Sequence, residues 1–360
     1  MTTAAHPLVV RARRLADGLL APQAERVDQE GVPASHIEAL KGSGLLGVTA
    51  PAEYGGADAP AAVARETAEI LAGACCSTWF VLTQHYTPVK LLASTELPVR
   101  ERLLGPLVRG ELLSGIAYAH VRAFPRIPVR AMPERDGWRF DGTVPWYTGW
   151  TLNDVMLLAG VSEADEVVFA FAEAREQPGL RPSPPMRLAA LTAARTVSLD
   201  LHGLWLPGES VVLRTPREKF ALVDRPRNTN ASPAVFGVAY AALDLLEGNP
   251  EAKETARSLR GRLDEARREA YALWDHPVPH ERIEERLAWK LRAHDLMRTA
   301  TTAALVAGGG RSMGLDSRAQ RLAREAMFLL VQGQTAEVRR AHLGHLSGFP
   351  GPTDAPGSAG

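Results

Sequence analysis

The chain has 360 residues, 46% hydrophobic and 23% charged; this is ordinary globular composition with length for about two or three domains, which excludes a disordered, fibrous or disulfide-stapled protein. Its 41 basic residues balance 41 acidic ones, so no net field draws it to nucleic acid or anionic lipid, and a small-molecule ligand is expected. The two cysteines, Cys75 and Cys76, are adjacent; they cannot bridge a framework or hold zinc alone, and a reducing cytoplasm without a metal is expected. The amino terminus lacks a basic segment followed by an apolar run, and no stretch approaches the roughly 20 apolar residues of a membrane span.

From Pro7 to about Arg109 the pattern is helical, with Val9, Ala12, Leu15, Leu19 and Leu20 at three- and four-residue steps, a second run over Ile37–Leu46 and a third over Ala61–Leu71. Between the last two, Gly44, Gly47, Pro51, Gly55 and Gly56 punctuate what reads as a tight surface segment. Short alternating or apolar runs bounded by Gly, Pro and Asp follow at Trp138–Gly142, Asp154–Gly160 and Glu166–Phe171, which is strand chemistry. After Asp224, read as a loop residue, long Ala/Leu/Arg-rich segments return at Ala234–Leu246, Ala252–Trp274, His280–Ala307 and Ser317–Leu346, predicting a four-helix bundle. The expected order is a helical domain over 1–111, a β domain over 112–222, a bundle over 223–346 and a disordered tail over 347–360. His276, His280, His294, His342 and His345 lie in the bundle half without carboxylates at diiron spacing and read as surface or capping groups.

This element order coincides with three local segments. They are Gly44–Gly56, the run Asp141-Gly142-Thr143-Val144-Pro145-Trp146-Tyr147-Thr148-Gly149, and Gly309-Gly310 with Arg321-Leu322, Arg324-Glu325 and Thr335. Together they resemble the acyl-CoA dehydrogenase superfamily of flavoproteins. The resemblance implies an α+β, mostly α fold with a central β-barrel-like domain, FAD or FMN as cofactor, a small organic or acyl-thioester substrate, and a homodimer or homotetramer. It places Trp146 against the flavin ring, Thr148 at the ring's nitrogen edge, Tyr118 in the flavin-side loop, and Thr335 and Glu337 at the dinucleotide. It also places Gly309 and Gly310 against the flavin of a neighbouring subunit. An indole offers a stiff stacking surface and a hydroxyl both donates and accepts without adding charge, so the assignments are chemically apt.

The departures bear on chemistry. The carboxylate with which dehydrogenases of this family remove the substrate α-proton falls at Gly333, or at Gln332 with a slip of one, and neither residue can take a proton. A second subgroup's base falls near Arg227-Asn228-Thr229-Asn230, again without a carboxylate. The flavin clamp positions are Lys253 and Ala256. The segment Ala72–Leu82 with His85 resembles the branch of flavin-dependent monooxygenases, which take reduced flavin from a reductase and need no α-proton base. Three readings stand: a dehydrogenase-type oxidoreductase coupled to an electron-transfer flavoprotein, a reduced-flavin monooxygenase with a flavin reductase as partner, and a catalytically degenerate binding protein. His85, His120, Arg122 and Gln332 are the catalytic candidates, with a packed, backbone-satisfied His85 as the alternative for that residue.

Overall fold

The computed structural model describes residues 3–348; residues 349–360 of the expected disordered tail lie outside them. The first third is helical: α1 (Pro7–Leu15) runs through a π-type turn, Ala16–Leu20, into α2 (Ala21–Glu30), followed by α3 (Ala34–Lys41), α4 (Ala61–Ala74), α5 (Cys76–Ala93) and α6 (Val99–Val108). The periodic residues Val9, Ala12 and Leu20 are fully buried, as one apolar stripe on a 3.6-residue period requires. The run expected over Ile37–Leu46 stops at Lys41, because Gly44 adopts a left-handed φ of +72° and ends the helical path. Leu45, Leu46, Val48 and Ala50 beyond it are buried, so this glycine-rich segment is a packed turn and not a surface one. A Cβ at Gly56 would stand 2.1 Å from the Ala50 carbonyl oxygen, which is why only glycine closes the turn.

The centre is a mixed eight-stranded sheet: β1 (Ser114–Ala117), β2 (Val129–Glu134), β3 (Gly137–Tyr147), β4 (Val155–Val161), β5 (Glu166–Glu173), β6 (Leu180–Pro182), β7 (Val197–Pro207) and β8 (Val211–Pro216). The strand order is β6-β7-β3-β2-β4-β5-β8, with β1 parallel to β4. One face gathers Phe140, Val144, Tyr147, Leu158, Val168 and Leu199 into its own apolar core. The alternate residues of β4 and β5, including Leu157, Phe169 and Phe171, pack under Leu92, Leu104 and Leu107 of the helical domain. Burial on both faces explains why these strands read as continuous apolar runs.

The chain then returns to helices: α7 (Arg217–Thr229), α8 (Pro233–Glu247), α9 (Lys253–Trp274), α10 (Ile283–Gly308), α11 (Arg318–Val331) and α12 (Ala336–Leu346). Two expectations are corrected. Residues 217–229 are helical, so Asp224 lies on α7 and is buried rather than in a loop. The segment Ser317–Leu346 is two helices, broken where Gly333 takes a φ of +63° and Thr335 caps α12 by accepting a hydrogen bond from Val338 N at 3.2 Å. The bundle and the amino-terminal helices share one core, and α4 meets α8 at a glycine contact: a Cβ on Gly237 would stand 2.2 Å from the Glu69 carbonyl oxygen. Among the described residues no helix is long and apolar enough to cross a membrane.

Candidate functional site

Helix α7 leaves the sheet directly from β8 and so lies between the sheet and the bundle. There it faces the single 3-10 turn after β1, Ala119–Ala123, and the start of α12. The three elements enclose a cavity of about 380 Å³. Val121, Phe124, Phe220 and Ala221 contribute apolar lining; Arg122, Arg217, Asp224, Arg225, Asn228, Thr335, Glu337 and Arg340 contribute the polar lining.

Its centre is a buried relay. Arg122 donates from Nε to Asp224 Oδ2 at 2.6 Å and from Nη2 to Oδ1 at 2.8 Å. Asn228, one turn along α7, donates from Nδ2 to Asp224 Oδ2 at 2.7 Å and to the Asp224 carbonyl at 2.9 Å. Burial works to discharge the Arg122 guanidinium, but the hydrogen bonds and charge of Asp224 outweigh it and hold it above its ordinary range. Such a bidentate, amide-supported carboxylate has both oxygens engaged by these donors. The other lining carboxylate, Glu337, is likewise bidentate with Arg225 at 2.6 and 3.0 Å. Arg340 lines the cavity without a carboxylate partner among the described residues.

Behind this wall runs a buried basic column on α10. Arg286 Nη1 donates to Asn230 Oδ1 at 2.8 Å, and Lys290 Nζ to the Asn230 carbonyl at 3.2 Å. His294 and His342 stack, with Nδ1 and Nε2 at 2.7 Å. Burial lowers Lys290 to about 8; burial, then the neighbouring charges, lowers His294 well below its ordinary value, and burial leads in lowering His342. His294 and His342 are therefore a buried neutral pair joining α10 to α12, not the surface groups expected from the sequence.

The cavity brings together Arg122, Thr335 and Glu337. Tyr118 packs beside it, edge-on to Phe169 and Phe220. His120 donates from Nε2 to the Ala159 carbonyl at 3.0 Å, and burial lowers it to about 4. His85 accepts from Ser114 N at 3.1 Å and is lowered by burial to about 3; it ties α5 to β1. Neither histidine lines the cavity. Trp146 is 55% exposed on β3, and the buried Thr148 hydroxyl lies 3.1 Å from that of Thr196. Neither residue lines the cavity. Gln332 stands at the elbow before Gly333, while Gly309 and Gly310 lie exposed at the end of α10, where an added Cβ would meet nothing within 4 Å. Sequence reading missed Asn228, Arg225, Phe220 and Arg340 as site residues; the available signal was the four-residue step from Asp224 to Asn228, legible only if 217–229 is taken as helix.

Residues 3–111 match the family model described as acyl-CoA dehydrogenase, N-terminal domain. The chain is 24% identical over 379 aligned positions to the short-chain specific acyl-CoA dehydrogenase of human mitochondria, covering 94% of this chain and 89% of that one. It is 26% identical over 258 positions to the dibenzothiophene monooxygenase of Rhodococcus erythropolis, covering 66% and 60%. The solved structure of butyryl-CoA dehydrogenase from Megasphaera elsdenii superposes with a TM-score of 0.82 at 17% identity, covering 96% of this chain and 99% of that one. In its helix–sheet–bundle order, its matched amino-terminal domain and a relative aligned along 94% of its length, the chain is similar to the acyl-CoA dehydrogenases and shares their fold.

Proposed function

We propose that this protein is a flavin-dependent oxidoreductase acting on a small organic or thioester-linked molecule, and that the cavity between the β1 turn, α7 and α12 is its substrate site. The observation that carries the reading is the cavity's make-up. One aromatic and aliphatic wall, Val121, Phe124, Phe220 and Ala221, is joined in the lining by polar groups of Arg122, Asn228 and Thr335, which suits a small substrate with an apolar body and a polar edge. The dinucleotide clamp is not matched: Ala256 is buried in the bundle core and Lys253 is exposed. With those clamp positions lost, FMN is a cofactor to test beside FAD, its ring stacked on the exposed indole of Trp146 as the resemblance implies. A bound flavin would supply two-electron chemistry, accepting a hydride from an oxidisable substrate or, when reduced, passing electrons to dioxygen. This chain's residues would stack on the ring through Trp146 and, in the cavity, keep water out and orient the substrate. Exposed Val306, Met313, Leu315, Met327, Val331 and Leu343 on the bundle support assembly with further copies, because exposed apolar groups gain by burial against a second surface.

One observation favours oxygenation over α,β-dehydrogenation as a second reading. Gly333 has no side chain, and the cavity's two carboxylates, Asp224 and Glu337, are both held bidentate by arginine, so no free base faces the substrate. Oxygenation needs none: dioxygen gives one atom to the substrate and one to water, with two electrons from the reduced flavin. The test is direct. Purified protein is saturated with FAD or FMN and its bound-flavin absorbance measured. Substrate bleaching the oxidised flavin without oxygen supports dehydrogenation, and coupled oxygen uptake by the reduced enzyme supports oxygenation. No bound flavin with either cofactor refutes the enzyme reading and leaves a degenerate binding protein. Trp146→Ala is expected to weaken flavin binding about ten-fold if the exposed indole stacks on the ring, because an aromatic pair contributes about 0.5–1.5 kcal/mol beyond its area.

A further inference from the structure

Asn228 is 8% exposed and lines the cavity. Its amide orientation is decided by its neighbours: the two groups facing its nitrogen, the Asp224 carbonyl and Asp224 Oδ2, can only accept, so the NH2 end must face them. The opposite end, Oδ1, is therefore an acceptor, and it receives no hydrogen bond from any described residue. Across from it stands the elbow between α11 and α12, where a Cβ built on Gly333 would lie 3.7 Å from Asn228 Oδ1. Glycine leaves that space open. The result is a fixed acceptor, open to a cavity whose lining also includes Phe220 and Phe124, the latter with the Arg217 guanidinium over one ring face at 3.6 Å. Oδ1 is open to the cavity, so a ligand that covers it without supplying a donor carries a desolvation cost, and an amide oxygen has too little basicity to remove a proton. It can only receive an N–H or O–H. The nearby charges narrow the class further: Arg122 is already neutralised by Asp224, but Arg340 is an unmatched cation at the same cavity, which opposes a protonated amine.

Resting on the reading that this cavity is the substrate site, we propose that Asn228 is a specificity-determining residue, and that the substrate carries an uncharged O–H or N–H donor on an apolar, aromatic-sized body. The donor sits on Asn228 Oδ1 in the space beside Gly333. The body lies against Phe124 and Phe220. A site built to accept a hydrogen bond discriminates strongly against an isostere that lacks the donor, because its own polar group is then left unpaired.

Indole and benzofuran are matched bicyclic probes that differ at one ring atom, an N–H in the first and an ether oxygen in the second. Their affinities for the full-length protein can be measured by saturation-transfer NMR with competitive titration, and flavin content read by absorbance on the same samples. Indole is expected to bind about ten-fold tighter than benzofuran. The preference is expected to vanish in Asn228→Leu, which removes the acceptor. It is also expected to vanish in Gly333→Asn, which leaves Asn228 intact but brings an internal amide donor to it, asparagine being tolerant of the left-handed backbone there. Equal affinities in the parent, binding of neither probe, or a preference that survives either variant would overturn the proposal. Absent flavin absorbance with the probe preference intact would instead overturn the oxidoreductase reading and leave this one standing.

Discussion

The Arg122–Asp224 pair offers the sharpest test of how the site is held. The Asp224 side chain is 6% exposed and that of Arg122 20%, so both charges are largely removed from water and are compensated mainly by each other. Asp224→Asn keeps the shape but leaves a buried guanidinium facing a neutral amide; breaking a buried pair in this way costs about 3–5 kcal/mol. For a chain of 360 residues, at about 2.1 cal/mol/K of unfolding entropy per residue, that is a fall in Tm of roughly 4–7 °C. Arg122→Met removes the other half, leaving Asp224 with Asn228 as its one remaining side-chain partner, and is expected to cost a similar amount. The double variant carries no orphaned charge and is expected to lose at least about 2 kcal/mol less than the sum of the singles, since contacting groups are not additive. Urea unfolding followed by circular dichroism on all four proteins gives the cycle. Amide hydrogen exchange should show the loss concentrated in the turn after β1 and in α7, the elements the pair joins. Additive single effects, or singles that lose less than about 1 kcal/mol, would refute the account of Asp224 as a locked carboxylate and return it to the list of possible bases.

Three other outcomes follow from the same geometry. Gly237→Ala puts a methyl where only 2.2 Å separates it from the Glu69 carbonyl oxygen, so α4 and α8 must separate; a loss of about 1–3 kcal/mol in denaturant unfolding is expected, and a neutral result would mean the helices slide apart freely. Lys290 has its proton affinity lowered by burial from 10.5 to about 8, so between those values the unfolded chain binds the proton more tightly and stability rises as pH goes from 8 towards 10.5, with the full penalty of roughly 3 kcal/mol present below pH 8. Lys290→Met should abolish that rise in a pH series of melting curves, and a parent curve that is flat or falling across the window would contradict the buried cation. His294→Phe removes one half of the stacked histidine pair that joins α10 to α12; faster hydrogen exchange over residues 336–346 with little change over 61–93 is expected, and uniform change would show that the pair does not position α12.

How much of this was legible before the fold is seen differs from element to element. The helical stripes of Val9, Ala12 and Leu20, the doubly apolar strands around Leu157 and Phe169, and the long helices α8 to α10 are local periodicities, and local periodicity is written into the order of side chains. The family resemblance is local in the same sense: a glycine turn closed on Ala50, a Trp-x-Thr after a strand, an Arg–Glu pair on α11. That Gly333, or Gln332 beside it, stands where the resemblance expects a carboxylate base is also read at one position. The tertiary structure decided what those positions face. Helix α7 reads poorly because Pro226 lies inside it, and it is held by burial of Asp224 and Asn228 rather than by propensity. Proximity of Arg122 to Asp224 spans 102 residues, and that of Asn228 to Gly333 spans the whole bundle; no spacing rule encodes either. Burial turned His85 and His120 from catalytic candidates, and His294 and His342 from expected surface groups, into neutral packing groups, and desolvation depends on everything around a side chain rather than on its neighbours in the chain.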